Sequence, residues 1–188
     1  MAVRNPKCLA VDASVARASG GQDAIFPKSR LCRDFLREIL SLHHSIIMTN
    51  DIQQEWDNHQ SKFARSWRVQ MTKRGLVKRH FGMRHGELRQ SVEEAVEKTA
   101  YDRKAKQAVL EAILKDIHLI EAALLVDHTV AALDERVRRY FAESCFHVSE
   151  LVNVVWANPT IPSEDCILWL RRGAPPDDHR TLGYFGVD

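Results

Sequence analysis

Short apolar runs divide this chain and restrict the folds open to it. Residues 8–11, 46–48, 129–133 and 145–148 are apolar runs of three to five residues, and longer segments with apolar residues at helical spacing separate them. Short buried strands that alternate with helices are typical of a parallel sheet covered by helices. The sequence therefore predicts an α/β fold with a central, mainly parallel sheet of four or five strands flanked by helices.

The predicted domain organisation follows from the positions of these runs. Residues 1–160 form one α/β domain that contains a basic helical insertion at about residues 60–106. Residues 149–156 are predicted to be a helix because Ser and Glu at its start resemble a helix cap. Residues 161–188 are expected to form a C-terminal helix and a loosely held tail.

The cysteines and the hydropathy pattern indicate the cellular compartment. The four cysteines are far apart in the sequence, so none forms the short-spaced pair of a zinc or redox motif, and we expect reduced core residues. No stretch approaches the roughly 18 consecutive apolar residues of a membrane span, and the N-terminal sequence does not resemble a signal peptide. We therefore expect a cytoplasmic protein with no membrane segment.

Four carboxylates occupy positions where a binding site is expected in such a fold. Asp12 and Asp134 follow the first and third predicted strands, and ligands of parallel sheets bind at the carboxyl ends of strands. Glu55 lies in the helix after the second strand, and Asp116 lies near the apolar face of a long helix. Asp116 either pairs with a cation, because a buried carboxylate is otherwise costly, or reaches water at the border of that face.

Five segments of the chain, in order, resemble the PIN domain family. The family pattern is a strand ending in Asp followed by a small hydroxyl residue, and then a Glu early in a helix after the second strand. An Asp opening a helix with Ala six residues later follows, and then another strand ending in Asp. The corresponding segments here are LAVDASVA, IIMTNDIQQEW, DIHLIEAALLVD, TVAALDERVRRYF and FHVSELV.

This resemblance implies an activity and a cofactor. PIN nucleases hydrolyse RNA at a carboxylate site that holds one or two Mg²⁺ or Mn²⁺ ions, which prefer oxygen ligands. Many bacterial members are toxins neutralised by an antitoxin protein, and members commonly form homodimers. The implied catalytic and metal-binding residues are Asp12, Glu55, Asp116 and Asp134. Ser14 is expected to orient a carboxylate or phosphate, or to serve only as a turn or cap residue, and Glu121 and Asp127 to be solvated or capping residues.

The charge of the chain is unevenly distributed. The formal net charge is +2, yet nine of the 27 Lys and Arg residues and one of the 25 Asp and Glu residues lie between positions 62 and 90. Such a stretch complements a phosphate backbone, so we expect it to bind RNA. The candidate substrate-binding residues are Ser14, Arg65, Arg68, Lys73, Arg74, Lys78 and Arg79.

Alternatives remain open for the basic stretch and for the function. The basic side chains would also suit a solvated face or an acidic protein partner. Trp56, Phe63, Trp67 and Met71 recur at helical spacing, and this stripe belongs either to the core or an interface, or to a platform on which bases stack. The acids predict a metal-dependent endoribonuclease, and the alternative is a catalytically idle RNA-binding or partner-binding module on a PIN-like fold.

Overall fold

Five short strands form one sheet in which all neighbouring strands run parallel. The computed structural model describes residues 5–21, 25–82 and 86–185. The strands are β1 (Cys8–Val11), β2 (Ser45–Met48), β3 (Val77–Arg79), β4 (Thr129–Ala131) and β5 (Val155–Ala157). Their spatial order is β3-β2-β1-β4-β5, so the predicted α/β class with a parallel central sheet is confirmed.

Two packed groups of helices flank this sheet. The first group comprises α1 (Ala13–Ala18), α2 (Pro27–Ser41), α3 (Asn50–His59), α4 (Lys62–Lys73) and α8 (Cys166–Arg171). The second group comprises α5 (Gly86–Glu97), α6 (Arg103–Leu124), α7 (Glu135–Ser144) and α9 (Leu182–Phe185). None of the helices within the described ranges is both long and apolar enough to cross a membrane.

β1 is the central strand, and the order of the strands reverses beside it. Its four residues are buried, and Leu9 pairs with Ile46 of β2 on one side and with Thr129 of β4 on the other. The chain builds β2 and β3 on one side of β1 and later adds β4 and β5 on the opposite side. Such a reversal leaves a crevice at the carboxyl ends of the two strands that flank it, which here are β1 and β4.

The insertion contributes the edge strand β3, so the prediction of a purely helical insertion is wrong at residues 77–79. Gly75, with φ of 69°, reverses the chain directly after α4 and thereby places Val77 beside β2. Lys78 and Arg79 are exposed and interrupt any apolar run that would indicate a strand. Basic side chains are common on edge strands because they discourage pairing with another molecule.

The strand predicted at residues 145–148 lies about ten residues later, where it forms β5. Residues 145–148 form the turn after α7, and Phe146 is exposed. The predicted helix at 149–156 is a single 3₁₀ turn, Ser149–Leu151, followed by strand β5. Ser149 and Glu150 therefore begin only a single helical turn. The buried residues of β5 pair with β4 instead of continuing that helix.

The aromatic stripe belongs to the core. Trp56 and Trp67 stack with ring centroids 5.9 Å apart, and both are almost completely buried. Their indole N–H groups donate to the backbone carbonyls of Val11 and Leu36, at 2.8 and 2.6 Å respectively. Buried indoles that satisfy their only donor in this way are structural. The core alternative is confirmed, and the stripe provides neither a stacking platform nor the surface of the predicted homodimer.

The segment after β5 is packed against the sheet, so the prediction of a loosely held tail is wrong for the residues described there. Thr181 forms an antiparallel bridge with Val155, and Leu182 is fully buried. Buried Glu164 accepts hydrogen bonds from Arg138 Nη1 at 2.6 Å and Arg180 Nη1 at 2.9 Å. We call these three charged residues the Glu164 cluster; it ties the C-terminal segment to α7. Residues 186–188 of the predicted tail lie outside the described residues.

Candidate functional site

The loops after β1 and β4 are joined by hydrogen bonds at the point where the strand order reverses. The backbone N–H of Asp12 donates to the carbonyl of Ala131 at 2.9 Å. Two residues further along each loop, Leu133 N–H donates to Ser14 Oγ at 3.3 Å. Asp12 and Asp134 therefore lie on neighbouring loops at the carboxyl edge of the sheet, as their positions after the strands predict.

Helix caps orient both of these aspartates. Asp12 caps α1, and its Oδ2 accepts from the backbone N–H of Ser14 at 3.0 Å. Asp134 caps α7, and its Oδ1 accepts from the N–H groups of Arg136 and Val137 at 3.0 and 3.1 Å. Among the described residues, Asp134 Oδ2 has no hydrogen-bond partner. Ser14 orients a carboxylate through its backbone, while its hydroxyl joins the two loops and keeps its own proton available to a further acceptor.

Asp116 is the most perturbed carboxyl group at this site. Its pKa is raised to about 6, first by burial and then by the carboxylate of Asp12. Lys115 and His118 oppose this rise, and the carboxylate of Glu55 adds a smaller contribution to it. Asp116 is half-buried rather than fully solvated. The structure thus places Asp12 and Glu55 close enough to Asp116 for their charges to disfavour its ionised form, whereas Asp134 is not among the groups that shift its pKa.

His118 is a member of the site that the sequence does not reveal. Its buried ring places Nε2 3.4 Å from Glu55 Oε2, and its Nδ1 lies 3.0 Å from the carbonyl oxygen of Lys115. Nε2 has no hydrogen bond within the described part of the chain. The available signal was a histidine two residues after Asp116 on the buried turn of α6, but apolar periodicity alone does not distinguish it from a core histidine.

The raised pKa of Asp116 predicts a pH-dependent stability. Because the pKa in the folded state exceeds the ordinary value of 3.8, folding favours the protonated form, and stability should fall as pH rises from about 4 to about 6. After allowance for its partial exposure, the ionised carboxylate should cost on the order of 1–2 kcal/mol at neutral pH. Asp116→Asn, melted in EDTA, should therefore raise Tm at neutral pH by roughly 2–8 °C.

Two comparisons make this experiment decisive. The difference in Tm between Asp116→Asn and the wild type should shrink towards pH of about 4, where Asp116 of the wild type is also neutral. Glu111→Gln removes an exposed charge from the same helix and should melt like the wild type across this range. A difference in Tm that persisted unchanged at low pH would contradict the electrostatic explanation.

The carboxylates suit a hard divalent cation in their chemistry, although they do not form a finished coordination shell. Asp12, Glu55 and Asp116 offer only oxygen donors, and their mutual repulsion is the effect that a bound cation relieves. Within residues 5–21, 25–82 and 86–185, no three His, Cys, Asp or Glu side chains are placed so that they could together hold a metal ion. The chemistry of these oxygen donors therefore suits Mg²⁺ or Mn²⁺, whereas their positions in this structure do not form a coordination site.

Two further acids differ from their predicted roles as solvated or capping residues. Glu121 is buried on α6 and accepts two hydrogen bonds from Arg89 of α5, at 2.7 and 2.8 Å. Asp127 accepts from the backbone N–H of Cys8 at 2.7 Å and lies 3.6 Å from Lys7 Nζ. Both acids therefore hold distant parts of the chain together, and neither belongs to the carboxylate site.

Three of the six predicted RNA-binding cations line one groove of about 280 Å³. Arg68, Lys73 and Arg79 reach it from α4 and β3, and Gln53 of α3 contributes to its wall. Arg68 pairs with Asp57 at 2.5 Å, and Arg79 donates to Gln53 at 2.9 Å. We call this the basic groove. The remaining predicted cations, Arg65, Arg74 and Lys78, are exposed but do not line it, and Arg84 lies outside the described residues.

The thiols and a second cavity provide no competing site chemistry. Burial raises the pKa of Cys32 to about 11 and the pKa values of Cys145 and Cys166 to about 12, so these thiols stay protonated at neutral pH. A cavity of about 760 Å³ lies at the opposite edge of the sheet, where Lys7 and His128 precede β1 and β4. None of the predicted site residues lines that cavity.

Comparison with known proteins identifies no relative on which to base an assignment. No family model matches the chain, and no curated protein and no solved structure matches it. The function must therefore be argued from the residues and from their arrangement at the carboxyl edge of the sheet.

Proposed function

We propose that this protein is a Mg²⁺- or Mn²⁺-dependent endoribonuclease that hydrolyses phosphodiester bonds of RNA. The observation that carries the proposal is half-buried Asp116, whose pKa is raised to about 6 beside Asp12 and Glu55. Burial of a self-repelling carboxylate group is costly, and a divalent cation compensates for that cost. Perturbed carboxylates in a crevice are typical of functional sites.

The proposal assigns separate tasks to the side chains around the crevice. Asp12, Glu55, Asp116 and Asp134 would hold the metal ion. Bound Mg²⁺ or Mn²⁺ supplies positive charge that acidifies water and stabilises charge on phosphate oxygens. The caps of α1 and α7 fix the orientations of Asp12 and Asp134, and the buried ring of His118 lies 3.4 Å from Glu55 at the border of the site.

The basic groove supports RNA as the substrate. A carboxylate site by itself repels a polyanion, so an enzyme acting on one needs cations nearby. The groove supplies Arg68, Lys73 and Arg79. Its lining includes Met48 and Arg79, the last residues of β2 and β3, so the groove lies along the same edge of the sheet as Asp12, which follows the neighbouring strand β1.

The biological setting of this activity is proposed from the resemblance to PIN domains. A toxin-type ribonuclease in the cytoplasm would be held inactive by an antitoxin protein that covers the carboxylates, and it would act as a monomer or a homodimer. A neighbouring gene for such an inhibitor would support the toxin, whereas its absence would favour an RNA-processing enzyme.

A second candidate function is an idle module that binds RNA or a protein partner. The observation that favours it is the lack, among the described residues, of three side chains already placed to hold a metal ion. Such a module would retain salt-dependent RNA binding through the basic groove but would show no turnover.

Cleavage and melting experiments separate these two functions. Purified protein should cut single-stranded RNA in Mg²⁺ or Mn²⁺ and be silenced by EDTA. At a free metal concentration of about 100 times Kd, binding should stabilise the fold by about 2.7 kcal/mol, which is a rise in Tm of roughly 5–11 °C. Asp116→Asn should lose this rise and Glu111→Gln should keep it. RNA binding with neither cleavage nor a metal-dependent rise would instead favour the idle module.

A further inference from the structure

A pocket opens directly beside Asp134. It has a volume of about 480 Å³ and lies where α1 faces the first turns of α2 and α7. We call it the switch pocket because it borders the loops after β1 and β4. Its walls are formed by Ser14, Arg17, Ala18, Lys28, Ser29, Leu133, Asp134 and Glu135.

The two cations of the switch pocket are exposed, and no acid among the described residues pairs with them. The side chains of Arg17 and Lys28 form neither a hydrogen bond nor an ion pair within that part of the chain. The arginines at positions 30 and 37 of α2 differ, because both lie within 4 Å of Asp34. The positive charge of the pocket is therefore available to a ligand.

The two acids of the pocket are bonded to groups other than Arg17 and Lys28. Glu135 accepts from Asn158 Nδ2 at 2.8 Å and from Arg138 Nη1 at 3.3 Å. Asp134 accepts two backbone N–H groups through one oxygen. The side chains of Arg17 and Lys28 together with the hydroxyls of Ser14 and Ser29 form a donor set that matches the oxygens of a phosphate.

The sheet topology places this pocket and the basic groove on opposite sides of the carboxylates. Along the carboxyl edge, β3 and β2 end at Arg79 and Met48, which line the basic groove. Asp12 follows β1 in the middle of the sheet, and Asp134 follows β4 on the other side. A nucleic acid strand that crosses this edge would meet cations both before and after the carboxylates.

From this arrangement we infer that the switch pocket binds a backbone phosphate of the RNA strand, held by Arg17 and Lys28. The inference rests on the proposed function, because it adds a second contact point for the same substrate. It differs from the sequence prediction, which placed all RNA-binding cations between residues 62 and 90. With contacts on both sides, the intervening phosphodiester is positioned at the carboxylates.

Binding measured without metal tests this inference independently of cleavage. A fluorescein-labelled single-stranded RNA of about 12 nucleotides, followed by anisotropy in EDTA, reports affinity alone. The double variant Arg17→Gln/Lys28→Gln should bind roughly tenfold or more weakly than the wild type. The slope of log affinity against log salt should decrease in magnitude by about 0.7, because the pocket holds one phosphate and each phosphate contact to a single strand contributes about that amount.

Matched variants separate the pocket from general surface charge. Arg30→Gln removes a cation from the same helix outside the pocket, and it should bind RNA like the wild type. Arg17→Lys/Lys28→Arg keeps both charges and should restore most of the affinity. All four substitutions in the pocket are at exposed positions, so melting curves should match the wild type.

Each outcome tests RNA binding by the switch pocket independently of the proposed ribonuclease activity. Equal RNA affinity of Arg17→Gln/Lys28→Gln and the wild type would overturn the inference, even if metal-dependent cleavage were found. Competition by free AMP as strong as that by the RNA would also overturn it, since the pocket would then bind a mononucleotide. Weakened RNA binding by this variant would support the inference even if the wild type never cleaved RNA.

Discussion

Replacing Asp12 by asparagine should reduce RNA cleavage by about 100-fold or more. The substitution removes one carboxylate from the group around Asp116, and metal ions in such sites contribute several kcal/mol to stabilising the transition state. The fold should survive, because asparagine caps a helix as well as aspartate and its side-chain oxygen can accept the same N–H of Ser14. Single-turnover cleavage of labelled RNA measures the effect, with circular dichroism to verify folding.

The matched control for this variant is Asp102→Asn. Asp102 caps α6 by accepting from Ala105 N–H at 2.8 Å, so the chemical change and the structural role are the same as at Asp12. It lies 14 positions before Asp116, or about 21 Å along the helix. The control should cleave RNA at the wild-type rate. An Asp12→Asn protein that was folded and cleaved within tenfold of that rate would rule out the assigned carboxylate site.

Glu164→Gln should produce the largest loss of stability among the substitutions considered. Glu164 is buried and bonds Arg138 and Arg180, while its Oε2 also accepts from the backbone N–H of Asn158 at 2.9 Å. A neutral amide takes from two buried guanidinium groups their nearest counter-charge and leaves only the longer contacts of Arg138 with Glu135 and of Arg180 with Asp177. Breaking a buried ion pair costs about 3–5 kcal/mol. For a chain of this size, Tm should fall by roughly 6–20 °C in a thermal melt.

The exposed pair of Glu38 and Arg171 provides the control for this prediction. Arg171 Nε lies 2.7 Å from Glu38 Oε1, a separation similar to those in the Glu164 cluster, but the Arg171 side chain is largely exposed. Glu38→Gln should leave Tm almost unchanged, because solvent screens such a pair. Equal melting of the two variants would show that burial does not strengthen the Glu164 cluster.

The Glu164 cluster also supports the loop that carries Asp134. Arg138 contacts Glu135, and Asn158 Nδ2 donates to both Glu135 and the carbonyl of Leu133. These residues flank Asp134, so the C-terminal segment holds the loop that carries one predicted site residue. Loosening of this segment would move Asp134 before the rest of the sheet unfolds.

Sequence patterns predict the parts of the fold that depend on local composition. β1 and β2 are apolar runs followed by polar residues, and the long helices carry regular apolar spacing, so both types of element could be assigned without knowledge of distant contacts. Asp12 and Asp134 follow from strand ends alone. Asp116 was a candidate because of its position near the apolar face of a helix. That position suggested burial but did not identify its neighbours.

Elements that depend on distant partners could not be predicted in this way. β3 contains two exposed cations and exists because β2 offers it an edge, whereas β5 was hidden behind a local helix cap. The contact of His118 with Glu55 joins residues that are far apart in sequence. The switch pocket likewise depends on the approach of α1, α2 and α7, so Arg17 and Lys28 carry no signal in the sequence.

The central position of β1 determines when the proposed site can be completed during synthesis. Leu9 pairs with Thr129, so one edge of this strand stays open until 120 further residues have been made. Pairing over such a distance is slow, and an open strand edge can bind other chains in the meantime. The half of the sheet next to Glu55 can therefore form on a growing chain, whereas Asp116 and Asp134 join it only after α6 and β4 have been made. A nascent fragment would therefore carry only part of the carboxylate site that we propose.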